Sequence, residues 1–319
     1  MWRSRGAPLP EIPLINGVMN KNTLPLAPRI VAKGGVRQTL PTKSSLAVQS
    51  TDSSQQIPSQ IESASTSMPS TLPPVMEMAV IVPTLNEREN IELLIPGILA
   101  ADPRLHVIVG DDGSADGTAQ FVGEFAASGT ANASRVHLLD RGKKLGYASA
   151  IQDGMRLALK EGAQLILQMD ADFSHDPKYL PELLRKQAEG DCDLVIGSRY
   201  VPGGGTQNWG INRKIMSAGA NSLARTLLDL PAHDCTAGFR CWKRDLIEKS
   251  GVLEVQVQGY AFLFMTLYRC TRLGAKVGEV PIIFVDRQYG KSKMSRRIAV
   301  EGVRVLWQLW WQHVRGKSV

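Results

Sequence analysis

Two carboxylates one residue apart, Asp170 and Asp172, close an apolar run in LILQMDADFSHDP, residues 165–177. Carboxylates are seldom buried unpaired, so a strand ending in them either surfaces there or meets positive charge. At this spacing one carboxylate can hold a divalent cation while the other reaches a sugar hydroxyl or a second water. Mg²⁺ and Mn²⁺ take oxygen ligands, commonly one or two carboxylates together with substrate phosphates. A cation held in that way offsets the charge of a diphosphate leaving group. His175 is either a further ligand or a surface residue of the turn, and Asp176 before Pro177 suits the cap of a helix that begins at the proline.

The elements that must position these groups alternate. MAVIVP reads as a buried strand, Glu87 to Leu99 as a helix, HVIVGDD as a second strand and Thr118 to Ala127 as a second helix. Val136 to Leu139, Ala148 to Glu161 and QLILQMDAD continue as strand, helix and strand. Strands alternating with helices predict an α/β fold with a mostly parallel sheet flanked by helices. Ligands in such folds sit beyond the C-terminal ends of the strands, which is where Asp170 and Asp172 fall. Two more strand ends point there: VPTLNEREN brings Glu87 to a helix start, and VGDDGSADGT brings Asp111 and Asp112 to a Gly/Ser/Asp turn.

Charge along the 319 residues is uneven. Residues 1–75 carry seven Lys/Arg against three Asp/Glu and residues 286–319 carry eight against two, so the middle of the chain is slightly acidic. Residues 1–75 are rich in Pro, Ser, Thr and Gln without periodicity and read as a disordered segment. The domain follows at 76–295, and residues 296–319 form a basic, Trp-rich amphipathic helix. No apolar stretch reaches the roughly 20 residues needed to span a bilayer. The four cysteines lack the C-x-x-C spacing of zinc or redox sites and read as reduced core thiols. The basic tail carries tryptophans at helical spacing and no nucleic-acid module, so no nucleic acid is expected as a partner.

The motifs PTLNEREN, DDGSADGT, KKLGYASAIQDGM, MDADFSHDP, GSRY, DCTAGFR and VDRQYGKSK occur in the order found in family 2 glycosyltransferases. They resemble most the polyprenol-phosphate (dolichol-phosphate) mannose synthases, from about Met76 to Lys293. The resemblance implies a GT-A, Rossmann-like fold, GDP-mannose as donor, polyprenyl or dolichyl phosphate as acceptor, and Mg²⁺ or Mn²⁺ as cofactor. It implies that Pro83, Leu85, Glu87, Gly110 and Asp112 border the nucleoside, and that Asp170, Ala171 and Asp172 line diphosphate and sugar, with Asp170 and Asp172 at the metal. Leu85 stands where many relatives have Tyr, which removes a contact to the nucleoside. Ser174 stands where some offer Gln as a further metal ligand.

By the same resemblance Arg199, Arg287 and Lys293 meet nucleotide-sugar or phosphate, while Arg213 and Ser217 meet the acceptor phosphate. Asp172, Arg199 and Arg287 are the expected catalytic residues. A lipid monophosphate is already an anion at neutral pH, so the implied reaction needs no general base. It is a single in-line displacement at C1 of α-linked mannose, with inversion to a β-mannosyl phospholipid. Asn212–Leu230 and the Trp-rich tail are the segments suited to a membrane surface. The implied setting is peripheral, at the cytosolic face of a membrane (endoplasmic reticulum or bacterial plasma membrane), with small membrane subunits as anchors. A UDP-glucose-dependent polyprenyl-phosphate glucosyltransferase and a non-catalytic nucleotide- or lipid-binding relative are the competing readings.

Overall fold

The computed structural model describes residues 76–257, 259–286 and 296–315. The expected disordered segment 1–75 lies outside them, as do Arg287 and Lys293.

The first half of the domain follows the alternation read from the sequence. Strands β1 (Met78–Thr84), β2 (Leu105–Asp111), β3 (Val136–Asp140) and β4 (Leu165–Gln168) are separated by helices α1 (Arg88–Ala101), α2 (Thr118–Ala126) and α3 (Tyr147–Lys160). After β4 come α4 (Leu180–Gly190), β5 (Leu194–Ser198), the short β6 (Gly205–Gln207) and the long α5 (Ile211–Leu228). The chain then runs through β7 (Arg240–Lys243), α6 (Arg244–Ser250), α7 (Tyr260–Arg272), β8 (Val277–Pro281), β9 (Ile283–Val285) and α8 (Arg296–Val314).

Seven strands form one sheet in the order β3-β2-β1-β4-β7-β5-β8, and β6 pairs with β9 in a separate ribbon. Within the main sheet only β7 runs antiparallel, against β4 on one side and β5 on the other. The central strands are apolar on both faces because both faces are covered. Ala79 and Ile81 of β1 enter the core under α3, α7 and α8. Val80 and Val82 enter the core under α1, α2 and α4. Helix α3 approaches β1 closely because residue 154 is glycine: a Cβ there would lie 2.6 Å from Ile81 Cγ2.

Register places the functional edge. Thr84 pairs with Asp111, so β1 and β2 end together, while β4 ends at Gln168 opposite Ile81 and leaves the sheet on the same side slightly earlier. Ser198 and Pro281 close β5 and β8 at their shared end. Since β7 is reversed, it starts where its neighbours stop, and the preceding loop Asp234–Phe239 therefore arrives at the same edge.

Candidate active site

Asp170 and Asp172 lie just past β4, whose ladder continues through a Met169 N–H bond to the Ile81 carbonyl at 3.1 Å. The Asp170 side chain is about one-third exposed, at 34%, whereas Asp172 is buried. Between Asp172 and Ser174 the backbone turns through Phe173 at φ 59°, a conformation rare for a bulky side chain. The turn brings the Ser174 N–H to Asp172 Oδ1 at 3.2 Å, and the Ser174 hydroxyl donates to the same oxygen. Asp176 caps the short helical turn Pro177–Tyr179, accepting from the Lys178 N–H at 3.0 Å, as its position before proline predicts.

His175 is not a surface residue. It is 1% exposed, stacked on Phe239 with Phe284 edge-on, and its Nδ1 accepts the Asp170 N–H at 3.0 Å. Burial lowers its pKa despite the two nearby carboxylates, so the ring is neutral and props the Asp170 backbone. The partly buried Tyr147 hydroxyl donates to the Asp170 carboxylate. Burial and then the Asp170 charge raise the Tyr147 pKa well above its ordinary value, which keeps it a donor. Gly238 makes room for both groups: a Cβ there would lie 2.8 Å from the Tyr147 oxygen and 3.4 Å from Asp170 Oδ1.

The β1 and β2 ends form a second, adjoining group. Asp111 is spent on the turn itself, accepting from Thr84 Oγ1 at 2.9 Å and from the Gly113 and Ser114 N–H groups. Asp112 is buried, paired with Arg141, and accepts the Gly146 N–H at 2.8 Å. Arg141 also reaches Asp153 of α3. Glu87 occupies the N-cap position of α1 and accepts from Asn90 Nδ2 at 2.7 Å. Pro83 pairs in register with Gly110 beneath this group, and Leu85 stands half-buried between Thr84 and the Asn86 turn. Ala171 is buried between the two site carboxylates.

The cations divide between two environments. Arg199, just past β5, is buried and clamped by Asp234 through Nε and Nη2, each at 2.7 Å, with Thr236 Oγ1 at 2.8 Å from Nη2. Burial alone would lower its pKa, but the Asp234 hydrogen bonds and charge outweigh that and leave it raised. Arg213, in the first turn of α5, is exposed and pairs with Asp286 at 2.8 Å. One turn further, Ser217 Oγ accepts from the Tyr200 hydroxyl at 2.8 Å. Beneath these, fully buried Arg240 donates to the Ala237 and Cys235 carbonyls and to Thr266, and desolvation pulls its pKa down to about 10.

The described candidate residues therefore gather at one sheet edge: Glu87, Gly110 and Asp112 at β1 and β2, the carboxylates at β4, and Arg199 with the α5 residues beyond β5. Sequence reasoning missed Arg141, Tyr147 and Asp234 as partners. Each lies in or next to a motif already singled out, but nothing in the sequence says which acid meets which base. Among the described residues no three His, Cys, Asp or Glu side chains form a metal-holding cluster. Asp170 and Asp172 instead fit a hard cation that completes its shell with diphosphate oxygens and water.

Helix α5 turns Ile211, Ile215, Met216 and Leu223 outward, exposed by 51–74%. Helix α8 buries Val305, Leu306 and Leu309 against the domain and exposes Val300, Val303, Trp307, Trp311 and Val314 along its other side. Among the described residues no helix is long and apolar enough to cross a membrane.

The chain is similar to the polyprenol monophosphomannose synthase of Mycolicibacterium smegmatis, 40% identical over 239 residues that cover 75% of this chain and 89% of that one. It is 40% identical to the undecaprenyl-phosphate mannosyltransferase of Micrococcus luteus over 228 residues, 72% of this chain and 91% of that one. Among solved structures it resembles glucosyl-3-phosphoglycerate synthase from Mycobacterium tuberculosis, crystallised with Mn²⁺, UDP and glucosyl-3-phosphoglycerate. That match has a TM-score of 0.54 at 19% identity and covers 74% of this chain and 80% of the other, a likeness of fold that fits the GT-A expectation. Residues 79–251 match the model of glycosyl transferase family 2. With the family model spanning more than half of the chain and the relatives aligned over most of their length, this protein belongs to glycosyltransferase family 2.

Proposed function

We propose that the protein transfers mannose from GDP-mannose to a polyprenyl or dolichyl monophosphate, with inversion, as a peripheral enzyme at the cytosolic face of a membrane. The observation that carries this reading is the adjacency of two features: a carboxylate pair at the sheet's C-terminal edge, and a helix, α5, that offers Arg213 and Ser217 toward that edge and an exposed apolar stripe to its surroundings. The names of the relatives support the same chemistry.

In this reading Glu87, Gly110 and Asp112 border the nucleoside, and Asp170 and Asp172 hold a divalent cation, Mg²⁺ or Mn²⁺. When bound, that cation supplies charge stabilisation to the departing GDP. Arg199, Arg287 and Lys293 contribute positive charge around the phosphates, and Arg213 with Ser217 orients the acceptor phosphate. The acceptor oxygen is already anionic, so no residue has to remove a proton. Catalysis rests on alignment of the two phosphates and on fixed charge. The exposed stripes of α5 and α8 rest on the lipid surface, and small membrane subunits serve as additional anchors.

The deciding experiment incubates the full chain with Mn²⁺, polyprenyl phosphate and either radiolabelled GDP-mannose or radiolabelled UDP-glucose. Organic-phase label from GDP-mannose is expected. Label from UDP-glucose alone would replace the mannosyl reading with a glucosyl one, and label from neither would favour a binding role.

A further inference from the structure

Trp209 is 9% exposed, yet its indole N–H has no hydrogen-bond partner among the described residues. From Gln207 to Met216 it is the one buried residue in a stretch otherwise turned to solvent. A buried donor left unpaired has given up its bond to water for nothing in return, and such groups are uncommon. The ring itself is well fixed. Phe284 packs edge-on with centroids 5.3 Å apart, and the Arg213 guanidinium carbon sits 4.0 Å over the ring. The Arg199 guanidinium carbon lies 5.5 Å from the same ring, so Trp209 stands between two cations.

Those two cations differ in how freely they can change partners. Arg199 and Asp234 are buried together, with side chains 5% and 0% exposed, and their pairing is part of the fold. Arg213 and Asp286 are 44% and 35% exposed, and a solvent-exposed pair of this kind is held weakly. A phosphate monoester is a stronger partner for an arginine than a solvated carboxylate, since it offers more charge and three acceptor oxygens. An anion placed against Arg213 lies next to an indole N–H that is unpaired among the described residues.

We infer that Trp209 belongs to the acceptor-phosphate pocket: its ring face carries Arg213, and its N–H donates to a phosphate oxygen of the lipid when Arg213 exchanges Asp286 for that phosphate. This rests on the reading of Arg213 as an acceptor-side residue, and the test separates the two. The full chain is titrated calorimetrically with farnesyl phosphate and with farnesol, its phosphate-free counterpart. Trp209→Phe keeps a ring under Arg213 and removes the N–H.

The expected result is about tenfold weaker binding of farnesyl phosphate by Trp209→Phe, with farnesol and GDP-mannose bound as by the wild type. In ¹H–¹⁵N spectra of the wild-type chain, the Trp209 indole cross-peak should move on adding farnesyl phosphate and stay in place with farnesol. Replacing the other tryptophans in turn assigns that peak even where Trp209→Phe folds poorly. Equal binding of farnesyl phosphate by wild type and Trp209→Phe, an unmoved cross-peak, or an equal loss toward GDP-mannose overturns the assignment. A wild-type chain that ignores farnesyl phosphate overturns the acceptor reading of the site and this inference together.

Discussion

Asp234 grips one edge of the Arg199 guanidinium through two hydrogen bonds and also accepts the Arg199 backbone N–H at 3.1 Å, so one carboxylate fixes both the side chain and the strand end that bears it. Taking away one member leaves a buried charge without its counter-ion. Asp234→Asn should therefore cost about 3–5 kcal/mol of stability, read as a lower urea midpoint with an unchanged slope. A midpoint within experimental error of wild type would show that the pair is not what holds this loop.

Asp172→Asn keeps the shape of the side chain and removes its charge. Its partner Ser174 can still donate to the remaining oxygen, so stability from urea unfolding should change by less than about 1 kcal/mol while turnover is lost. Retained turnover would rule out Asp172 as a cation ligand.

Gly238→Ala places a methyl group 2.8 Å from the Tyr147 hydroxyl oxygen, well inside van der Waals contact. Tyr147 must shift, and with it the Asp170 carboxylate, so kcat/KM should fall about tenfold to a hundredfold because small displacements at a reacting centre are costly. The double variant Gly238→Ala with Tyr147→Phe, which removes the clashing oxygen, should recover part of that loss. Failure to recover any would mean that the clash with Tyr147 is not the cause.

Trp307→Ala combined with Trp311→Ala removes the two largest groups on the outer side of α8, both exposed and neither needed for the core. Sedimentation with vesicles of phosphatidylcholine and phosphatidylglycerol should show binding weakened about tenfold. Turnover of a water-soluble short-chain acceptor should be unaffected. Unchanged sedimentation would leave the α5 face as the membrane contact.

His106 and His137 stack across β2 and β3, with Nδ1 of one 3.1 Å from Nε2 of the other. Burial, then the neighbouring His137 and Arg135, lowers the His106 pKa from 6.5 to about 4, and burial lowers that of His137. The unfolded chain binds these protons more readily than the folded one. Their contribution to stability is therefore complete above about pH 6.5 and drains away as the pH falls toward 4. Urea midpoints measured from pH 7 to pH 5 should decline, and His106→Gln with His137→Gln should flatten the decline. An equally steep decline in the double variant would assign it to other groups.

The layered α/β architecture was legible because β1, β2 and β4 are short apolar runs and α1 and α3 carry helical periods between them; observed and expected boundaries there differ by a few residues. Less legible was the reversed strand β7, since RCWK is short and a sequence has no mark for strand direction. The carboxylates Asp170 and Asp172 could be picked out because acids at the end of an apolar strand violate the usual sorting of charge. Their supports could not. His175 looked like a turn residue, because its burial depends on Phe239 and Phe284, which are 64 and 109 positions away in the chain. Trp209 gave no signal either, since a tryptophan before a helix is unremarkable until its N–H is found without a partner.

Phe173 bends the chain into the left-handed region between Asp172 and Ser174, which turns the Ser174 N–H and hydroxyl back onto the Asp172 carboxylate. A bulky side chain held there stores roughly 1–3 kcal/mol, which the surrounding packing has to sustain whether or not a donor is present. The turn that holds Ser174 against Asp172 is thus set when the chain folds and does not have to form later. Relieving the bend with Phe173→Gly would make a more relaxed and less ready loop.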